Sequence, residues 1–303
     1  MNRQYLSIDV GGTFTKYAKM NDATDILEKG MVPTELSSEE EFVAMLEKIA
    51  SMFPGVDGVA VCSAGMIDSA SGVMHNAGSV TCVHELHLSE ILEERLGVPV
   101  SVENDARAAA CAELWKGSLW DCRNAAVLTL GTAVGGTVIL DRKILGGFHG
   151  IAGEFSYILT NASDAYNPAN TLAMRGGVPA LLDMASIRLG IPREKLSGEQ
   201  LFVMADEGNE TALELIRKYA RSIAVQVMNL MFILDPERIA VGGGISRQPV
   251  LLDLIREEME KLSSIYPHPV PVPEVTACKY YNDANLIGAL YVLMKKYAAN
   301  PSD

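Results

Sequence analysis

The sequence predicts an α/β protein of two lobes that repeat one architecture on either side of a cleft, and three observations carry that expectation. The first is the run Leu6-Ser7-Ile8-Asp9-Val10-Gly11-Gly12-Thr13-Phe14-Thr15-Lys16, where alternating apolar residues deliver a carboxylate, two glycines and a hydroxyl before the alternation resumes. The second is another copy of that pattern, Leu128-Thr129-Leu130-Gly131-Thr132-Ala133-Val134-Gly135-Gly136-Thr137. The third is size: 303 residues are long for one hydrophobic core and comfortable for two.

Each glycine turn has an ordinary reading as a tight hairpin and a chemical one as an anion cradle. Glycine allows positive φ and, without a side chain, lets backbone N–H groups approach a phosphate closely. In the first turn Asp9 is placed to hold the Mg2+ that accompanies a nucleotide. One such turn favours the ordinary reading. Two in matching strand contexts favour paired donors to one polyphosphate.

Composition narrows the class. The chain is 49% apolar, yet no run is long enough to cross a bilayer, and the start at Met1 leads into the first strand without a signal-peptide pattern. The five cysteines (Cys62, Cys82, Cys111, Cys122, Cys278) are odd in number and contain no Cys-x-x-Cys pair, which fits reduced thiols in the cytoplasm. A net charge of -13 disfavours nucleic acid and anionic membranes as partners but not ATP, which backbone amides and a metal can hold.

In chain order, strands are expected near 4–10, 14–20 and 26–33, then a helix from Ser38 with Phe42, Leu46 and Ile49 on one face and Glu39, Glu40 and Glu41 in its first turn. Val56 to Cys62 reads as a buried strand leading into a loop of small residues, Ser63-Ala64-Gly65-Met66-Ile67-Asp68. Cys82, His84 and His87 lack a fourth ligand at zinc-like spacing and read as packing around Val83, Leu86 and Leu88. A helix over 88–96 ends at Gly97, and the strand from Val100 runs into Glu103-Asn104-Asp105 ahead of an alanine-rich helix. Either Asn104 or Asp105 suits the N-cap, but three polar residues exceed what a cap needs, and the C-terminal ends of strands in α/β sheets are where ligands bind. A carboxylate there can take the proton of a sugar hydroxyl as its oxygen attacks phosphorus.

The second half opens near Gly117 with strands around 124–131 and 134–140, followed by Gly146 to Tyr157, where four glycines surround Glu154. Helices are expected over 177–190, 198–206, 210–234 and 247–262, and a strand follows Pro267–Pro273. The last helix spans about 285–298.

Taken together, Asp9-Val10-Gly11-Gly12-Thr13, Glu103-Asn104-Asp105-Ala106, Gly131-Thr132-Ala133-Val134-Gly135-Gly136 and Gly150-Ile151-Ala152-Gly153-Glu154 resemble, in order and spacing, the motifs of the ROK family (repressors, open reading frames and sugar kinases). The resemblance implies an actin-like, hexokinase-type fold of two RNase H-like lobes and transfer of the γ-phosphoryl group of Mg-ATP to a hexose hydroxyl, usually at position 6. It further implies Asp105 as catalytic base and Gly65, Asn76, Asn104, Asp105 and Glu154 as sugar-binding residues. Asp9, Gly11, Gly12, Thr13, Lys16, Gly131, Thr132, Gly243 and Gly244 are implied on the nucleotide, with Mg2+ at Asp9. The implied domains are 1–116 plus 285–303, with the sugar side and first phosphate turn, and 117–284, with the second phosphate turn and adenosine loop. A homodimer is the family's habit.

The chain departs from the family pattern at Tyr157, where many relatives carry a histidine, and it has no cysteine between Asn161 and Arg175, so no zinc site is expected. The same resemblance admits a sugar-responsive transcriptional regulator or a non-catalytic sugar-binding relative. The acidic charge and the eight residues ahead of Asp9 weigh against the first; the survival of Asp9, Asp105 and both turns weighs against the second.

Overall fold

The first glycine turn joins β1 (Gln4–Val10) to β2 (Phe14–Asn21), and β3 (Ile26–Pro33) extends the antiparallel edge. A computed structural model describes residues 3–78, 80–268 and 270–298; the expected domain ends at 1–2 and 299–303, and Pro269 of the proline-rich stretch, lie outside the described residues. From Tyr5 onward β1 is buried on both faces, as a central strand must be, whereas β3 at the edge carries exposed Glu28 and Lys29. Ser38 caps α1 (Glu39–Ser51), its Oγ accepting the Glu41 N–H at 3.2 Å, and Phe42, Val43, Leu46 and Ile49 turn inward.

β4 (Val59–Ser63) runs parallel to β1 and starts three residues later than the apolar run beginning at Val56 suggests. Val56 is buried, but Asp57 latches the chain to β1: its N–H donates to the Gln4 carbonyl at 2.6 Å and its Oδ2 accepts the Gln4 N–H at 2.7 Å. Where the sequence predicts only a loop and packing, β5 (Ile67–Asp68), β6 (Val73–Ala77) and β7 (Val80–Leu86) form a separate antiparallel sheet. α2 (Leu88–Leu96) ends at Gly97, and β8 (Val100–Asn104) adds in parallel to β4 before the chain turns into α3 (Asp105–Lys116). The sheet order is β3-β2-β1-β4-β8.

The second sheet has the same plan. β9 (Ala125–Leu130), β10 (Val134–Leu140) and β11 (Lys143–Ile144) form its antiparallel edge, with Asp141 and Arg142 at positive φ in the last hairpin. Three short 3₁₀ turns (Phe155–Tyr157, Ala162–Asp164, Pro168–Asn170) precede α4 (Leu172–Gly176), α5 (Val178–Leu189), α6 (Gly198–Asp206) and α7 (Glu210–Leu234). Then come β12 (Arg238–Gly242), α8 (Pro249–Ser263) and β13 (Glu274–Ala277), giving the order β11-β10-β9-β12-β13. In both sheets three sequential antiparallel strands are followed by two parallel ones.

α9 (Ala284–Ala298) returns to the first sheet and packs on β1, β4, β8 and α3. The chain therefore divides into two units: Met1–Gly117, Gly146–Ile151 and Asn282–Asp303 in one, Ser118–Leu145 and Ala152–Tyr281 in the other. Each has its own core. Leu6, Ile8, Val61 and Val102 meet Phe42 and Leu46 in the first; Leu128, Leu130 and Val241 meet Ile216, Tyr219 and Ile255 in the second. No helix among the described residues is long and apolar enough to cross a membrane.

Candidate active site

In the first unit three parallel strands end side by side, and their register sets the candidate residues in rows. Asp9 of β1 pairs with Cys62 of β4, which pairs with Glu103 of β8; one step on, Val10, Ser63 and Asn104 line up. Asp9 is buried. Its Oδ1 accepts the Asn285 Nδ2–H at 3.1 Å, with Cys62 Sγ 3.7 Å away, while its Oδ2 stands 3.8 Å from Lys16 Nζ. Burial raises the Asp9 pKa above the usual carboxylate value, against the opposing pull of the Asn285 hydrogen bond and the Lys16 charge.

The turn after Asp9 is closed from both sides. The Gly11 N–H donates to the Phe14 carbonyl at 3.2 Å, and Thr34 donates from Oγ to the Gly11 carbonyl at 2.6 Å and from its N–H to the Thr13 carbonyl at 3.0 Å. The N–H groups of Gly12 and Thr13 donate to no partner among the described residues, which leaves two amides for an anion.

Asn104 fills the capping role and a second one. Its Oδ1 accepts the Arg107 N–H at 3.1 Å at the start of α3, and its Nδ2 donates to the Gly65 carbonyl at 3.0 Å, tying the loop after β4 to the end of β8. Gly65 has φ +110, and a Cβ there would lie 2.3 Å from the Asn76 carbonyl oxygen, so this close approach needs glycine. The Asn76 Oδ1 in turn accepts the Met66 N–H at 3.2 Å. Asp105, half-buried, is the first residue of α3, and its Oδ1 accepts the Ala106 N–H at 2.8 Å. Glu103, first of the polar run, is structural: buried, it accepts the Ser69 hydroxyl at 2.6 Å and the Asn104 N–H at 2.8 Å, and burial raises its pKa. Burial and the charges of Asp9, Asp105 and Glu103 push the Cys62 thiol far up, which makes it an inert spacer.

The second unit assembles its own set. The Gly131 N–H donates to the Ala133 carbonyl at 3.0 Å, and the Gly131 carbonyl accepts the Val178 N–H of α5 at 2.8 Å. Thr132 and Ala133 keep N–H groups that have no partner among the described residues. Gly243, just past β12, has φ +90, and a Cβ would lie 2.0 Å from the Leu130 carbonyl oxygen, while Gly244 faces open space. The loop after β12 thus lies against the end of β9, where the Gly131 turn begins. Glu154 precedes a 3₁₀ turn pinned to the start of β10 by Ser156, whose Oγ donates to the Val134 carbonyl at 2.6 Å, and by Phe155, buried on Gly136. The half-buried Glu154 carboxylate accepts no hydrogen bond among the described residues.

The structure accordingly gathers Asp9, Gly11, Gly12, Thr13 and Lys16 at one hairpin, Gly65, Asn76, Asn104 and Asp105 beside it, and Gly131, Thr132, Glu154, Gly243 and Gly244 in the other unit. Sequence reasoning missed Asn285, whose contact with Asp9 bridges 276 positions and leaves no local signal. It also missed Arg107, whose guanidinium donates to the Gly150 carbonyl and ties the Gly146–Ile151 segment to α3.

The chain is 29% identical over 299 residues to the beta-glucoside kinase of Klebsiella pneumoniae, covering 98% of both chains. Among solved structures it is similar to a ROK family protein from Streptococcus pneumoniae TIGR4 in complex with sucrose (TM-score 0.88, 27% identity, 97% of this chain and 99% of that one). It is likewise similar to a ROK family glucokinase from Streptomyces griseus in complex with glucose and AMPPNP (TM-score 0.78, 26% identity, 94% and 97%). The fold is the actin-like, hexokinase-type fold. With the ROK family model matching residues 5–296, the chain belongs to the ROK family.

Proposed function

We propose that this protein is an ATP-dependent carbohydrate kinase that transfers the γ-phosphoryl group to the 6-hydroxyl of a hexose or a β-linked glucoside. The observation that carries the reading is the convergence of Asp9, the Gly65 loop and Asn104-Asp105 at the adjoining ends of β1, β4 and β8. Relatives named for β-glucoside and glucose phosphorylation, one of them solved with AMPPNP, support it.

In this reading Asp105 accepts the proton of the attacking hydroxyl, and Asn104, Gly65, Asn76 and Glu154 orient the sugar. The unpartnered carboxylate of Glu154 suits two sugar hydroxyls, and the Nδ2 of Asn104 has a second hydrogen to donate after serving Gly65. The free amides of Gly12, Thr13, Thr132 and Ala133 take phosphate oxygens, and Gly243 and Gly244 leave backbone against which adenosine lies. Residues 1–116 and 285–303 serve the sugar and the first phosphate turn; residues 117–284 serve the second turn, the adenosine and Glu154.

The Asp9 donor set fits Mg2+: a hard carboxylate oxygen, Oδ2, has half-exposed Lys16 as its sole polar partner among the described residues, and its burial is a cost a cation offsets. When bound, Mg2+ supplies neutralisation of charge on the phosphates.

The test is coupled ADP release across glucose, mannose, N-acetylmannosamine and cellobiose with Mg2+ present. At least one sugar is expected to raise ADP formation well above the sugar-free rate. A flat response to a panel widened to other β-glucosides would overturn the proposal.

A further inference from the structure

Asp9 is fixed by groups to which the kinase reading gives no role. Asn285, in the first turn of α9, donates from Nδ2 to Asp9 Oδ1 at 3.1 Å. Cys62 Sγ lies within 3.7 Å of the same oxygen and 3.6 Å of the Asn285 carbonyl, closing a three-residue contact among β1, β4 and α9. The thiol has one proton and a third acceptor, the Ile8 carbonyl at 3.6 Å, so it fills space more than it directs. The amide of Asn285 is the directional donor. It occupies one carboxylate oxygen and leaves Oδ2 with no hydrogen-bond or ion-pair partner but Lys16 Nζ, 3.8 Å away on a half-exposed side chain, among the described residues.

We propose that Asn285 is a positioning residue: its amide holds Asp9 by Oδ1 so that Oδ2 stays presented to the divalent cation carried with the nucleoside triphosphate. The inference rests on the reading of Asp9 as the metal-facing carboxylate. Its physical basis is general, since a carboxylate with one oxygen hydrogen-bonded presents the other in a fixed direction. An asparagine suits the position because it donates without adding charge beside Asp9, whereas an aspartate would face a second buried carboxylate.

The experiment titrates Mn2+, as an EPR-visible stand-in for Mg2+, into the full-length protein with AMPPNP, for wild type, Asn285→Ala, Asn285→Ser and Asp9→Asn. Asn285→Ala is expected to weaken Mn2+ binding about 10–100-fold, the usual effect of losing an outer hydrogen bond to a metal ligand. Asn285→Ser, which keeps a donor, recovers part of the lost affinity. Unchanged Mn2+ affinity in Asn285→Ala overturns the proposal when Asp9→Asn loses Mn2+. Retention of Mn2+ by Asp9→Asn instead overturns the reading of Asp9 itself. Should the alanine variant not fold, the near-isosteric Asn285→Leu, which donates no hydrogen bond and adds no charge, stands in for it, and undiminished Mn2+ affinity there overturns the proposal equally.

Discussion

Replacing Asp9 with asparagine should make the ligand-free protein more stable while disabling it. Asp9 is 7% exposed, and burial raises its pKa despite a hydrogen bond from Asn285 and a charge at Lys16, so desolvation outweighs both attractions in the folded chain. Burying an ion costs several kcal/mol after relaxation. Against that, losing the charge weakens the Asn285 hydrogen bond from a charge-assisted to a neutral one, roughly 1 kcal/mol, and removes a half-exposed ion pair worth about 0–1 kcal/mol. A net gain of about 0.5–2 kcal/mol is expected, in the range usual for single stabilising substitutions.

At roughly 2–4 °C per kcal/mol for a unit of this size, that is a rise of about 1–8 °C in Tm. The sign with pH is also fixed. Because the folded-state pKa lies above the unfolded one, wild type has its full stability below the unfolded pKa and loses some as pH rises through the folded one. The advantage of Asp9→Asn should therefore be larger at pH 8 than at pH 4.5. Differential scanning calorimetry of both proteins without nucleotide measures it. An asparagine variant that melts lower than wild type at pH 8, or whose advantage shrinks as pH rises, would mean that desolvation does not dominate at Asp9.

Two further outcomes are expected. Gly243→Ala forces a non-glycine residue to φ +90 with a Cβ 2.0 Å from the Leu130 carbonyl oxygen; strain of about 1–3 kcal/mol and overpacking of about 1–3 kcal/mol should destabilise the second unit and weaken AMPPNP binding, as urea unfolding and calorimetric titration would report. Glu258, its side chain 3% exposed, accepts from Arg221 and from Lys261 at 2.7 Å and has its pKa lowered to about 2, mainly by the Arg221 hydrogen bond. Glu258→Gln should cost about 1.5–3 kcal/mol at pH 7, and the gap to wild type should close as pH falls from the ordinary glutamate range towards 2, where the carboxylate is protonated in both states.

What the sequence made legible was what is local. The Asp9 and Gly131 hairpins are announced by alternation that stops at glycine, and the start of α3 by polar residues at a strand end. The small sheet is hidden because β7 does not alternate: Val80, Val83 and Leu86 bury at intervals of three, with Glu85 at positive φ and a register shift between Asn76 and Ala77. A period of three resembles loose packing. Val56 misled in the opposite direction, as a buried residue belonging to a latch and not to a strand. The separation of roles inside Glu103-Asn104-Asp105 also depends on tertiary partners, since only the position of Ser69 decides that Glu103 is consumed by the fold. The link from Asn285 to Asp9 is a property of how α9 returns, which no window of sequence contains.

The proposed activity stands or falls on the Asp105 carboxylate assisting transfer to a sugar hydroxyl. The decisive quantity is the steady-state kcat of purified Asp105→Ala, measured with the best sugar and saturating ATP and Mg2+ beside a circular dichroism spectrum matching wild type. General-base assistance is typically worth ~10²–10⁴-fold, so a loss of that size is expected. A folded variant retaining more than about a tenth of the wild-type rate would remove Asp105 from the chemistry.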